Sequence, residues 1–498
     1  MDQADILSCI ARIHAYGQPR SFSKPYRTTD RSKGVGTGAF IDPPVPVDGF
    51  IFVLTCAHVV DGADSLTVIL PLLGQEELPA STLCFIPQDV YDLAIVAIED
   101  PRGEYRAQTR RLPLGDSDTL KPGEQLTAYG FPLGQTGLKV SDGVYSGFQH
   151  LLQHTVSISP GNSGGPLVNS QHQIVGINNS GIVSPGASNI GYAVPISFYK
   201  STCDALFQRT PGEPSPGRVL RLPSFGLYYQ PSTTALIQEA GASDSRCSSG
   251  VYIYKILPDS PLARAGVDVG DILTGFDGLD IDNRGEVRVP WNSQKVELQY
   301  VLQRVVDSGH EHAFHIWSAR RKQCVVLHIA PQNLQVNGMK MNYPPQDPMD
   351  YIAFMGMCLM DLCKNHRTQT ATFKSYIKLE PEELAQPHII ITHIFNGMKL
   401  SVTGALSTGQ IITHINGRPV SSMAEAREAF KRPVHGNLLS VVTKDGPRFT
   451  VSVEDALKEE SDFKRGTRVY EQEEDIIAAL QPIVATAPPM PPHTTVWR

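Results

Sequence analysis

The 498-residue chain has no apolar run that approaches the length of a membrane-spanning helix, which sets aside a helical membrane protein. It has no dominant charge sign. Its 43 basic and 50 acidic residues are interspersed and leave a net charge of −7, which argues against nucleic acid or an anionic membrane as the main partner. Cysteines are few, and none of the eight (Cys9, Cys56, Cys84, Cys203, Cys247, Cys324, Cys358, Cys363) forms a Cys-x-x-Cys pair. Most of them lie inside apolar strand or helix patterns, so free thiols in a reducing compartment are expected. The opening residues lack a basic start, a long apolar stretch and a small-residue cleavage site, and Asp2 and Asp5 do not suit a transit peptide. An intracellular setting, cytoplasm or nucleus, is therefore expected. With 41% apolar and 19% charged residues over this length, the chain reads as a soluble globular protein of about three domains.

Against these absences stands Gly161-Asn162-Ser163-Gly164-Gly165-Pro166. Glycines around a serine let the chain turn tightly and bring backbone N–H groups close to a substrate carbonyl. Two such donors, Gly161 and Ser163, would hold the oxyanion formed when Ser163 attacks. A general base and an acid to orient it are expected upstream. His58 follows the apolar run Phe50 to Leu54, and Asp92 opens the apolar run Leu93 to Ile98. The order His58, Asp92, Ser163 is the chymotrypsin-like one, distinct from the subtilisin and α/β-hydrolase orders. Asp89 is a rival acid, but Asp92 directly abuts its strand. Each residue alone would read as a cap, a turn or a loop; the three in one order read as a triad.

The segments GVGTGAFI (34–41), TCAHVV (55–60), YDLAIVAI (91–98), LGDSDTLKPGEQLTAYGFPLG (114–134) and SPGNSGGPLVNSQHQIVGIN (159–178) resemble the Deg/HtrA family of trypsin-like serine proteases, with the rest of the chain closest in plan to its intracellular, plant-type branch. The resemblance covers about the first 205 residues. It implies a mainly β fold: a chymotrypsin-like double β-barrel followed by two PDZ-like α/β domains. It also implies ATP-independent cleavage of unfolded or misfolded proteins without metal or organic cofactor. A chaperone or scaffold with a latent protease, or a dedicated processing protease, is the alternative. Family members assemble as homotrimers or larger oligomers through aromatics near the N-terminus, where Phe22 and Tyr26 stand. Ile158 and Ile182 occupy the expected lining of the specificity pocket, and Ser157 rather than an acid is the candidate at its base. Cleavage after small to medium aliphatic residues is expected, not after Lys or Arg.

The remaining organisation follows from composition. Residues 1–208 form the protease domain, closed by a helix that Pro195 opens, and the Pro/Gly-rich stretch 209–219 is a linker. A first PDZ domain is expected at 220–332, where Ser224, Phe225, Gly226 and Leu227 resemble a carboxylate-binding loop for peptide C-termini. Leu298, Val301, Leu302 and Val305 predict a groove-lining helix over 292–307. A linker at 333–349 precedes a degenerate second PDZ domain at 350–455, in which Gly409 to Gly417 repeats the motif at 270–278 with Gln410 in place of Asp271. Phe354 to Met357 reads as a second carboxylate loop, and Ser422 with Glu425 as a capping box. Residues 456–498 form a C-terminal extension. His310, His312 and His315 sit at a spacing that two strand neighbours would share, but no acid or cysteine cluster completes a metal site.

Overall fold

The computed structural model describes residues 3–486, apart from 19, 29, 185–186, 209–216, 243–247, 293, 306–308, 334–339, 370–372, 374–378, 380–382, 384–385, 466–469 and 471–472. The chain divides into two compact units. One takes residues 1–18, 31–334 and 345–347, and the other takes 19–30, 335–344 and 348–498.

The first unit begins with two barrels. The strands Ile10–Gly17, Ser32–Ile41, Phe50–Thr55, Ser65–Ile69, Leu78–Ile86 and Leu93–Glu99 form one sheet that closes where Leu78–Ile86 pairs with Leu93–Glu99. The strand Leu93–Glu99 is buried at every position except Glu99, as its unbroken apolar run requires. A second closed barrel joins Gln125–Gly130, Lys139–Gln149, Leu151–His154, Pro166–Asn169, Ile174–Ser184 and Ala187–Pro195. The double barrel expected from the strand-and-turn pattern is therefore present. The helix Ile196–Phe207 follows Pro195 and buries Ile196, Phe198, Tyr199, Thr202 and Leu206. The end of the expected linker is a strand instead: Arg218–Val219 pairs in parallel with the first barrel at Cys84 and Phe85.

The same unit continues into a sheet of Leu227–Gln230, Val251–Ile256, Ile272–Phe276, His312–Ser318 and Gln323–Ile329, in that order. Among the described residues, Leu227–Gln230 pairs only with Val251–Ile256, so its outer edge is open. The expected helix is shorter than its periodicity, at Leu298–Gln303, because Val296–Glu297 is drawn into a two-stranded pairing with Glu286–Val287. His312 Nδ1 lies 2.6 Å from Asp277 Oδ2, and its ring stacks on Phe276.

The second unit is built on Ile352–Phe354, Met357–Asp361, Ile389–Ile394, Ile411–Ile415, Leu438–Thr443 and Arg448–Ser452. Its turn logic repeats that of the turn before Ile272–Phe276 in the first unit. Asp271 Oδ2 accepts the Asp268 N–H at 3.0 Å, and Gln410 Oε1 accepts the Ser407 N–H at 2.8 Å. The capping box forms as expected, with Ser422 and Glu425 bonding each other's backbone amides. The expected second carboxylate loop is instead a tight hairpin. Met355 and Gly356 have φ of 54° and 79°, the two positive values of a type I′ turn, and Ile352–Phe354 pairs back on Met357–Leu359. That edge is already covered by the chain itself. The C-terminal extension contributes the helix Glu474–Thr486, which buries Ile476 and Leu480 in this unit's core.

Phe22 and Tyr26 also belong to the second unit. Phe22, 3% exposed, packs on Met360 and Cys363, and Tyr26 stacks with Phe395, His393 and Tyr470. Phe22 is thus covered within the chain, whereas Tyr26 stays half-buried.

His154, fully buried in the second barrel, makes stability depend on pH. Burial lowers its pKa from 6.5 to about 4. Between those values the unfolded chain binds the extra proton. Stability held above about pH 6.5 is therefore lost as pH falls, by roughly 3 kcal/mol at about pH 4. Melting of wild type and His154→Leu across this range checks it. The wild type should lose more stability on acidification, whereas parallel curves would remove His154 as a cause.

Candidate active site

The two barrels bring His58, Asp92 and Ser163 to one place. His58 lies in the short helix Ala57–Val60, directly after the strand Phe50–Thr55. Asp92 is 2% exposed and sits at φ 53°, a conformation that aspartate tolerates better than most residues. Its Oδ2 is 2.6 Å from His58 Nδ1, and its Oδ1 accepts the His58 backbone N–H at 2.8 Å. An ionised carboxylate only accepts, so Nδ1 carries the proton and Nε2 is left as the basic nitrogen. Asp92, not Asp89, is thus the acid in contact with the histidine.

Residues of the first barrel clamp the serine loop. The Thr37 N–H donates to the Ser163 carbonyl at 2.9 Å, and Thr37 Oγ1 donates to the Gly161 carbonyl at 2.6 Å. Thr37 Oγ1 also accepts the Phe131 N–H at 3.1 Å, and Thr55 Oγ1 donates to the Thr37 carbonyl at 2.7 Å. Gly161 has φ 100°, and a Cβ there would lie 2.3 Å from the Phe131 carbonyl oxygen, so only glycine fits. Among the described residues the Gly161 and Ser163 amides have no hydrogen-bond partner, whereas Asn162, Gly164 and Gly165 N–H groups are all engaged. The two amides named from the sequence are the free donors of this loop.

Sequence reasoning missed Asn179 and Thr37. The Asn179 side-chain amide donates to Asp92 Oδ2, and its backbone carbonyl accepts the Ser163 hydroxyl at 3.1 Å. Among the described residues Ser163 Oγ therefore rests on Asn179 rather than on His58. Neither residue carries a sequence signal of its own; each acts through backbone and side chain together, from a position that only the closed barrels bring near the serine. Cys56 is the third member of a His/Cys/Asp grouping with His58 and Asp92. Its thiol is fully buried and held well above its ordinary pKa by burial, then by the Asp92 charge, so it is not a thiolate competing with Ser163.

Ile158 is 8% exposed and packs in the second barrel's core beside Tyr145 and Val156, with Gly181 against its backbone. Ser157 is exposed. The side chain of Ile182 lies outside the described residues. On the far side of Asp92, an 820 Å³ cavity reaches from Asp92 and Asn179 to Ser224, Gly226 and Leu227. There Ser224 Oγ accepts the Gly226 N–H at 3.1 Å, and Phe225 is buried against Phe276 and Phe314.

The profile of the trypsin-like peptidase domain matches residues 36–177. A DegP-like periplasmic serine endoprotease of Marinomonas sp. (strain MWYL1) is 28% identical over 433 residues, 83% of this chain and 77% of its own length. The serine protease Do-like HtrA of Bacillus subtilis (strain 168) is 32% identical over 276 residues, 52% of this chain and 58% of its own length. A DegP-like periplasmic serine endoprotease of Chlamydia pneumoniae is 25% identical over 440 residues, 86% of this chain and 77% of its own length.

Relatives that carry a location in their names are called periplasmic, and this overturns the expected intracellular setting. The expectation of free thiols is corrected with it, because Cys324 is disulfide-bonded. Such bonds persist in oxidising compartments. Cys9, Cys56, Cys84, Cys203, Cys358 and Cys363 are free. Among the described residues no helix is long and apolar enough to cross a membrane.

Proposed function

As a member of the Deg/HtrA family of trypsin-like serine proteases, the chain is a peptide-bond hydrolase, and we propose that it cleaves unfolded proteins through Ser163, His58 and Asp92. The observation that carries this reading is the 2.6 Å contact of His58 Nδ1 with Asp92 Oδ2, set beside two unengaged loop amides. In the reaction Ser163 exchanges its Asn179 acceptor for His58 Nε2 and attacks the scissile carbonyl. His58 takes the hydroxyl proton and returns it to the leaving amine, while Asp92 keeps the tautomer and stabilises the imidazolium. Gly161 and Ser163 N–H groups hold the oxyanion. No step calls for a nucleotide or a metal.

The specificity proposed is for small to medium aliphatic residues; it rests on the family resemblance at Ile158 and Ile182, with no acid among residues 155–163. The open edge of Leu227–Gln230, next to Ser224 to Leu227, supports a peptide C-terminus adding as a strand to the first PDZ-like sheet. In the second, Ile352–Phe354 already pairs along Met357–Leu359, the strand that follows the corresponding loop, which supports no equivalent role there. Degradation of an unfolded protein, with the new termini read by mass spectrometry, tests the reading. Termini generated after Val, Ala, Leu or Ile are expected; clustering after Lys or Arg would refute the pocket assignment.

A further inference from the structure

We propose that Tyr91 is a positioning residue for Asp92, and that the helix Leu298–Gln303 of the following domain is its anchor. Tyr91 immediately precedes the acid and is 1% exposed. Its hydroxyl donates to the backbone carbonyl of Gln303, at the C-terminal end of that helix. Its ring stacks on Phe198, with centroids 3.9 Å apart and planes 16° apart. Phe198 in turn meets Tyr300 of the same helix at 5.2 Å, and Tyr300 meets Phe148 at 4.2 Å. The anchor is itself fixed. Arg304 lies over the rings of Trp291, at 4.1 Å, and Tyr300, at 5.1 Å, and its guanidinium is 2.6 Å from Asp118 Oδ2.

The consequence falls on the residue that needs it. Asp92 holds a left-handed backbone conformation, and its two oxygens must meet three donors from His58 and Asn179 at once. A residue at positive φ persists when its surroundings over-determine it. On its N-terminal side that constraint comes through Tyr91: the Asp92, Tyr91 and Val90 amides all turn onto the Pro87 carbonyl, and the Tyr91 side chain is held by the helix. Burial keeps the Tyr91 and Tyr300 hydroxyls far above their ordinary pKa, so Tyr91 remains a donor across the working pH range. The domain that follows the protease is thereby part of the scaffold of the triad acid.

Full-length Tyr91→Phe removes the hydroxyl and keeps the stacked ring. It should lower kcat between about tenfold and 10²-fold with KM nearly unchanged, as a small misplacement of a catalytic group does. The acid limb of the kcat/KM profile should move to lower pH, because a misaligned carboxylate stabilises the His58 imidazolium less. Tyr300→Leu, which alters a ring that among the described residues makes no contact with His58, Asp92 or Ser163, should give the same signature. If it melts below the assay temperature, Arg304→Gln takes its place. An unchanged kcat, or a lowered kcat with an unmoved acid limb, would overturn the proposal for Tyr91. A wild-type profile in the helix variant would overturn the anchor. The inference rests on Asp92 being the triad acid, which the Asp92→Asn measurement below decides separately.

Discussion

Ser163→Ala should lower turnover of an unfolded-protein substrate by roughly 10⁶-fold while leaving the melting temperature close to that of the wild type. The size follows from what is lost. Without the hydroxyl there is no covalent step, and His58 has no proton to take, so the base and the acid behind it lose their task together. What survives is binding and the two free amides of Gly161 and Ser163. The fold should tolerate the change because the loop is held by backbone groups and by Thr37. Among the described residues the Ser163 side chain makes one hydrogen bond, to the Asn179 carbonyl, and alanine removes it without introducing bulk. The measurement is initial-rate degradation with a parallel thermal melt. Retained cutting in a folded Ser163→Ala protein would move the nucleophile elsewhere.

Asp92→Asn should cost about 10⁴-fold in kcat. Asp92 Oδ2 is met by donors from both His58 and Asn179, and its Oδ1 by the His58 backbone. An amide in this place offers one acceptor and one donor to three donors. Either the Asn179 contact is lost or the imidazole turns to the tautomer that presents a proton, not a lone pair, to the serine. Asparagine suits the test because it accepts the positive φ of this position, so the backbone need not move. Asp89→Asn is the control. It removes the rival acid of the same turn and should leave turnover near the wild-type value. Reversal of the two results would exchange their roles.

The triad was legible because each member sits where local sequence already fixes it. His58 and Asp92 lie at the ends of unbroken apolar strands, and Ser163 lies among glycines whose backbone only glycine adopts. Thr37 and Asn179 were not legible because their effect depends on long-range strand register, which brings residues 126 and 87 positions away in sequence into contact. The fate of residues 19–30 was hidden for a similar reason: Phe22 and Tyr26 look like exposed aromatics until Met360, Phe395 and Tyr470 are folded against them. The hairpin at Met355 and Gly356 was misread because a glycine between apolar residues suits a carboxylate loop and a type I′ turn equally, and only the pairing of Ile352–Phe354 distinguishes them. The compartment was misread because it was taken from the opening residues and the thiols, whereas relatives of the chain are named periplasmic.

The most direct test of the account is covalent labelling of the full-length protein with a fluorophosphonate, with the adduct located by mass spectrometry. The account predicts a single adduct on Ser163, formed far more slowly in Asp92→Asn and in unfolded protein. An adduct on another residue, or none on folded protein that is degrading substrate, would contradict it.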